Sequence, residues 1–277
     1  MAPPGQADAV PAPNPLLPAR RPEARVEPPY NRCVAKRRLR AGFIGRIGYS
    51  QGLRLQEAAR ARVLEARGGR VAAGVEEALL LLEHPHVYTL GRNADAADVR
   101  ATAGWLARHG VDVHETDRGG QATYHGPGQL VGYPIVDLDP DRRDLRRYVR
   151  DLQAVLVASL SDLGIEAFPG ADAAAIGVWV EGERGREKIA SIGVHVRRWV
   201  TTHGFALNVA TDLSMFGGIV ACGLPGVTMT SVAARLGSAP ALEEVAAVVA
   251  RHFARVFDRE LAVLDRDSAL ARLAEDA

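Results

Sequence analysis

Three strand-like segments in close succession set the strongest limit on the fold. Residues 176–180 (IGVWV) and 187–196 (EKIASIGVHV) flank a polar turn at 182–186, and residues 200–209 (VTTHGFALNV) follow at once. Links this short join antiparallel neighbours, because a parallel crossover needs a dozen or more residues. An all-helical fold is therefore excluded, and so is a regularly alternating parallel sheet. Ahead of this run, Leu145, Val149, Leu152, Leu156, Leu160 and Leu163 recur at steps of three and four and stop at Gly164. That spacing predicts an amphipathic helix with one buried stripe. Strands and a strong helix in one chain imply an α+β fold, a mixed sheet packed with helices.

Weaker signals fill in the rest. Residues 43–49 (FIGRIGY) read as a short strand, followed by a helix capped by Ser50 and ended by Gly68-Gly69. The apolar run 78–83 (ALLLLE) reads as a buried strand, and residues 86–90 as its partner. Residues 102–110 suggest a short helix closed by Gly110, and 111–115 (VDVHE) alternate as a strand does. In 117–138 (DRGGQATYHGPGQLVGYPIVDL), Gly126-Pro127-Gly128 separates two strand-like pieces. Two helices are expected near 241–257 and 267–274.

Residues 1–41 are rich in proline, alanine and arginine and offer little to pack, so they read as a disordered arm before a domain spanning 42–277. An organellar transit peptide is the competing reading, weakened by the absence of serine in this stretch and of an amphipathic pattern. The net charge of +1 gives no global pull toward nucleic acid or a membrane surface. No apolar run is long enough to span a bilayer, and two cysteines in unlike settings make no disulfide framework. The expected compartment is a reducing cytoplasm.

Cys222 lies in 216–231 (FGGIVACGLPGVTMTS), among four glycines and a proline. Glycines let a backbone approach a ligand and leave amides free to hold an oxyanion. An ordinary thiol is mostly protonated at neutral pH, so a nucleophilic cysteine needs a cationic neighbour. Against this stands the bland reading of an inert buried thiol. Lys188 sits in a strand of otherwise small and apolar residues, where it is either a solvated edge or a cation turned into a cleft. The loop Arg118-Gly119-Gly120-Gln121-Ala122-Thr123-Tyr124-His125 is neither a P-loop nor a dinucleotide fingerprint. The histidines lack metal-ligand spacing, so no metal is expected. Arg142, Arg143, Arg146, Arg147 and Arg150 fall mainly opposite the leucine stripe, as a solvated face or a dock for an acidic partner.

Together, 83–94 (EHPHVYTLGRNA), 118–138, 187–196, 202–209 (THGFALNV) and 221–231 (ACGLPGVTMTS) resemble the lipoyl (octanoyl) transferase family, over roughly residues 43–257. The resemblance implies an α+β fold similar to the catalytic domains of biotin and lipoate ligases. It implies a catalytic pair of Cys222 and Lys188, with substrate contacts from Arg118 through His125, from Ser191, Ile192 and Gly193, and from Gly204, Phe205 and Ala206. Phe205 and Ile192 hold apolar contact positions. The implied reaction moves an octanoyl group from acyl carrier protein to a lysine of lipoyl domains, in 2-oxoacid dehydrogenases and the glycine cleavage H protein, with no cofactor. His125 is a second proton-handling candidate. Two rivals are an ATP-dependent lipoate or biotin ligase and a non-catalytic lipoyl-domain binder. Cys222 in its glycine setting and the TYHGPGQ form of the loop speak against the first, and the intact pair of Cys222 and Lys188 against the second.

Overall fold

The computed structural model describes residues 36–69, 76–170, 176–183, 185–221, 226–264 and 266–267. The chain opens with β1 (Arg38–Arg46), α1 (Tyr49–Arg67), β2 (Glu76–Glu83) and β3 (Val87–Leu90). It continues with α2 (Ala103–His109), β4 (Asp112–Glu115), β5 (Ala122–His125), β6 (Gln129–Ile135) and α3 (Leu145–Asp162). Next come β7 (Phe168–Pro169), β8 (Gly177–Gly182), β9 (Gly185–Arg197), β10 (Val200–Asn208) and β11 (Thr228–Met229), then α4 (Val232–Leu236), α5 (Leu242–Phe257) and β12 (Glu260–Val263).

A nine-stranded mixed sheet runs β12-β1-β2-β6-β10-β9-β8-β7, with β11 against β9. The expected hairpins are present: β8, β9 and β10 are successive antiparallel neighbours. Helices α3 and α5 pack on one face, where Leu152, Leu156, Leu160, Val249, Phe253 and Phe257 are sealed from solvent. Helix α1 covers the other face, through Leu55 and Val63 against Leu80, Leu82 and Val131. Each side chain of this size contributes roughly 1.5–3 kcal/mol when fully buried.

Several expectations shift. The first strand begins at Arg38, not at 43, because residues 38–41 pair on both edges with β2 and β12 and Leu39 is fully buried. The folded boundary therefore precedes residue 42, while residues 1–35 lie outside the described residues. Gly48 rather than Ser50 is the N-cap of α1, with no side-chain cap, and Ser50 is inside the helix. Residues 87–90 do not pair with β2. Both edges of β2 are taken by β1 and β6, and β3 instead centres a separate three-stranded sheet, β4-β3-β5. The Gly126-Pro127-Gly128 break carries the chain from that small sheet to the large one, since β5 belongs to one and β6 to the other. The helix expected at 267–274 falls largely outside the described residues. Among the described residues, no helix is long and apolar enough to cross a membrane.

Candidate active site

Cross-strand register assembles the floor of a cavity of about 1080 Å³. Ser191 faces Ala206, Ile192 faces Phe205 and Gly193 faces Gly204, so tripeptides on the two successive hairpin strands β9 and β10 form one patch. The loop at 118–121 closes over it. Gly119 N–H donates to Val194 O at 2.9 Å, while Arg92 and Asn93 N–H donate to the carbonyls of Arg118 at 3.0 Å and Gly120 at 3.1 Å. Gly120 has φ +89°, and a Cβ at Gly91 would come within 2.3 Å of the Gly120 oxygen, so both positions require glycine.

Arg118 is 7% exposed. Its Nη2 donates to Thr89 O at 2.6 Å and to Thr89 Oγ1 at 2.8 Å, tying the loop to β3. Gly119, Gly120, Gln121, Ala122, Thr123 and His125 line the cavity, but Tyr124 does not. Strand alternation turns Tyr124 to the opposite face from Thr123 and His125, where it packs on Tyr88 and Phe216 and bonds His86 Nδ1 at 2.8 Å.

Lys188 enters the same cavity from β9 and is 1% exposed. Its Nζ lies 5.4 Å from the centre of the Trp179 ring, on the neighbouring β8. A Cβ at Gly177 would sit 2.5 Å from Lys188 Cε, so that glycine makes the room the lysine occupies. The solvated-edge reading of Lys188 is thereby excluded. Cys222 lies outside the described residues. The chain that follows it is described: in β11, Met229 registers against Lys188, and Thr230 N–H donates to Lys188 O at 2.9 Å.

Buried imidazoles surround the loop. His125 Nδ1 is 2.8 Å from Gln129 Oε1, and burial pushes His125 down to about 3. His84 donates from Nδ1 to Ile47 O at 2.8 Å and accepts from Tyr133 at 2.7 Å; burial takes it to about 4. His203 adopts φ 55° within β10, a conformation few residues other than glycine take. Gln56 Oε1 accepts its N–H at 2.6 Å. His203 Nε2 donates to Asp117 at 2.7 Å, and His195 reaches the other oxygen of the same carboxylate at 2.6 Å. Burial lowers His203 and keeps it neutral. Burial alone would raise Asp117, but hydrogen bonds from His203 and His195 hold it below the usual carboxylate range.

Sequence reasoning missed the wall opposite the loop. Leu145 and Val149, read as core, line the cavity together with Arg146 and Arg150. Leu145 is 48% exposed. The arginine face divides: Arg142 is buried against Asp151 and the Phe257 ring, Arg143 pairs with Asp139, and only Arg146 and Arg150 turn to the cavity. The signal was present in the helical wheel, where Leu145 and Val149 continue the stripe past the point at which the sheet still covers it. His203 and Tyr49 also line the cavity, and their contacts over long sequence separations left no local trace.

Residues 49–254 match the model of the lipoyl protein ligase A/B catalytic domain. An octanoyltransferase from Solibacter usitatus is 50% identical over 79% of this chain and 92% of its own length. One from Acidobacterium capsulatum is 44% identical over 80% of the chain and 91% of its own. Among solved structures, lipoate-protein ligase A bound with ATP has a TM-score of 0.62 at 20% identity, covering 87% of this chain and 93% of that one. At that identity the likeness concerns the fold.

Proposed function

The chain belongs to the octanoyltransferases of the lipoyl protein ligase A/B family, and from that premise we propose that it carries octanoyl groups from acyl carrier protein to lipoyl-domain lysines on a Cys222 thioester. It is an acyltransferase that serves protein lipoylation. The acceptors in this reading are lipoyl domains of 2-oxoacid dehydrogenases and the glycine cleavage H protein, met in the cytoplasm. The observation that carries the reading is the single cavity. It holds buried Lys188, the glycine loop and the paired Ser191–Gly193 and Gly204–Ala206 segments within one volume, beside the chain that follows Cys222.

The Cys222 thiolate attacks the donor carbonyl. A new carbon–sulfur bond forms, and the carrier's sulfur leaves and takes up the proton lost by Cys222. The acceptor amine then attacks the acyl-enzyme. Carbon–nitrogen bond formation expels the Cys222 thiolate, which regains a proton from the attacking amine. Lys188 stabilises the thiolate and moves both protons. In this reading glycine-flanked backbone amides hold the oxyanion. Ile192 and Phe205 supply the apolar surface for the alkyl chain. The donor is already activated as a thioester, so the chemistry calls for neither nucleotide nor metal.

The test is a mass spectrum after incubation with octanoyl-carrier protein, without ATP. An octanoyl adduct on wild type that is absent from Cys222→Ala supports the reading. Transfer that requires ATP, or persists in Cys222→Ala, overturns it in favour of the ligase chemistry.

A further inference from the structure

Four basic side chains, Arg118, Arg146, Arg150 and Lys188, line the cavity, and among the described residues no carboxylate does. An octanoyl group is uncharged, so most of this charge has no use in holding it. Arg118 is tied to Thr89 and to the Gly119 carbonyl, and in the proposed reaction Lys188 serves the Cys222 thiolate and the proton transfers. Arg146 and Arg150 stand apart from these roles. They lie one helical turn apart on α3, both exposed, on the cavity side.

Their neighbours are neutralised. Arg143 pairs with Asp139 at 2.5 Å, Arg142 with Asp151 at 2.5 Å, and Arg147 reaches Asp151 at 3.9 Å. Arg146 and Arg150 form no ion pair among the described residues. The acid closest in sequence, Asp144, caps the helix by accepting the N–H of Arg147 at 3.0 Å, and the two guanidinium groups only add to the field that lowers it. Two guanidinium groups outside any ion pair of the described residues, beside an opening and flanked by exposed Leu145 and by Val149, match a ligand with an anionic oxygen cluster next to a small branched apolar group.

We propose that Arg146 and Arg150 bind the phosphodiester of the phosphopantetheine arm that presents the acyl thioester, with Leu145 and Val149 against the gem-dimethyl carbon beside it. This rests on the carrier-thioester reading and adds to it the site at which the donor is recognised. It also separates the two substrates, because a lipoyl-domain lysine carries no phosphate and gains nothing from this subsite.

Two small donors isolate the contribution, octanoyl-pantetheine and octanoyl-phosphopantetheine, which share one thioester and differ by the phosphate. The readout is kcat/KM for acylation of Cys222 in wild type and in Arg146→Gln/Arg150→Gln. Wild type should prefer the phosphorylated donor by about tenfold or more, the range of a charge-assisted contact. The preference should weaken with added salt and fall toward one in the double variant. No preference in wild type, an undiminished preference in the variant, or equal losses on both donors would each overturn the subsite. Acylation from octanoate and ATP that depends on the two arginines would assign the phosphate to an acyl-adenylate and overturn it too. Failure of wild type to be acylated by either thioester would instead remove the function on which the subsite rests.

Discussion

Gln129 fixes the position of the proton on His125. Its amide nitrogen is committed to Tyr124 O at 3.2 Å and to Asn208 Oδ1 at 2.9 Å, and Asn208 donates in turn to Thr230 O at 3.0 Å. A chain that ends on a backbone carbonyl has one direction, so Gln129 Oε1 accepts from His125 Nδ1 and Nε2 is left without a proton. The relay ends next to Lys188, whose carbonyl accepts the N–H of the same Thr230.

Neutral His125 and His84 make stability depend on pH. Unfolded histidine titrates near 6.5, whereas these two titrate at about 3 and about 4 in the fold. Between those limits the unfolded chain binds more protons, so stability rises with pH and is lost as pH falls. Each histidine should contribute about 1.4 kcal/mol per pH unit to that slope. Urea unfolding between about pH 4.5 and 6 checks it. His125→Gln should remove about one such share, and an unchanged slope would mean that His125 takes up a proton without unfolding.

Glu77 and Arg259 form the ion pair with most to lose. Glu77 is fully buried; Arg259 Nε reaches it at 2.6 Å, Arg37 at 3.3 Å, and Asp137 N–H at 3.1 Å. Arg259→Ala leaves a buried carboxylate with part of its pairing gone and should cost about 3–5 kcal/mol in denaturant unfolding. A loss under about 1 kcal/mol would mean that water reaches Glu77.

Truncation should discriminate sharply within a few residues. A chain starting at Lys36 keeps all of β1 and should fold and transfer acyl groups. A chain starting at Gly42 loses Leu39 and the register of residues 38–41 with β2 and β12, and should lose at least the roughly 2–5 kcal/mol of one buried leucine. Circular dichroism melts of the two chains decide; equal melting temperatures would count against β1 as an integral strand.

Lys188→Arg tests whether charge alone suffices. Arginine keeps the charge but does not give up a proton, and its bulk meets Gly177 and Trp179. Single-turnover acylation and deacylation should both fall by about 10² or more. Retention of the acylation rate with loss of deacylation alone would limit Lys188 to activating the amine.

Gly132→Ala should shift chain-length preference. Gly132 on β6 faces Phe205 on β10, and a Cβ there would fall 2.1 Å from the Phe205 ring. The ring then moves into the cavity, and transfer of octanoyl should drop relative to butanoyl or hexanoyl by about tenfold. An unaltered preference in competition between these thioesters would place Phe205 away from the alkyl tail.

The three-strand run and the long helices were legible because each buries one face with a clean period, as Leu152, Leu156 and Leu160 illustrate. The pairing of β3 was not, because the apolar stretch at 87–90 reads the same whether it joins β2 or founds a second sheet. Strand β12 escaped notice because its neighbours in space, residues 38–41, lie more than two hundred positions away. For the site, the glycine loop and Lys188 stand out by composition. Asp117, His195 and His203 do not, since their link exists only after β9, β10 and the loop have come together.

The roof over the cavity is held by backbone bonds that link the 118–120 loop to Arg92, Asn93 and Val194 and by the Arg118 anchor, all made within the protein itself. In the proposed reaction the alkyl chain would therefore meet a loop already fixed by the protein's own bonds, so little protein conformational entropy would be lost on its arrival. Calorimetry of a non-reactive octanoyl ligand should show a negative heat-capacity change, the marker of apolar surface buried on binding.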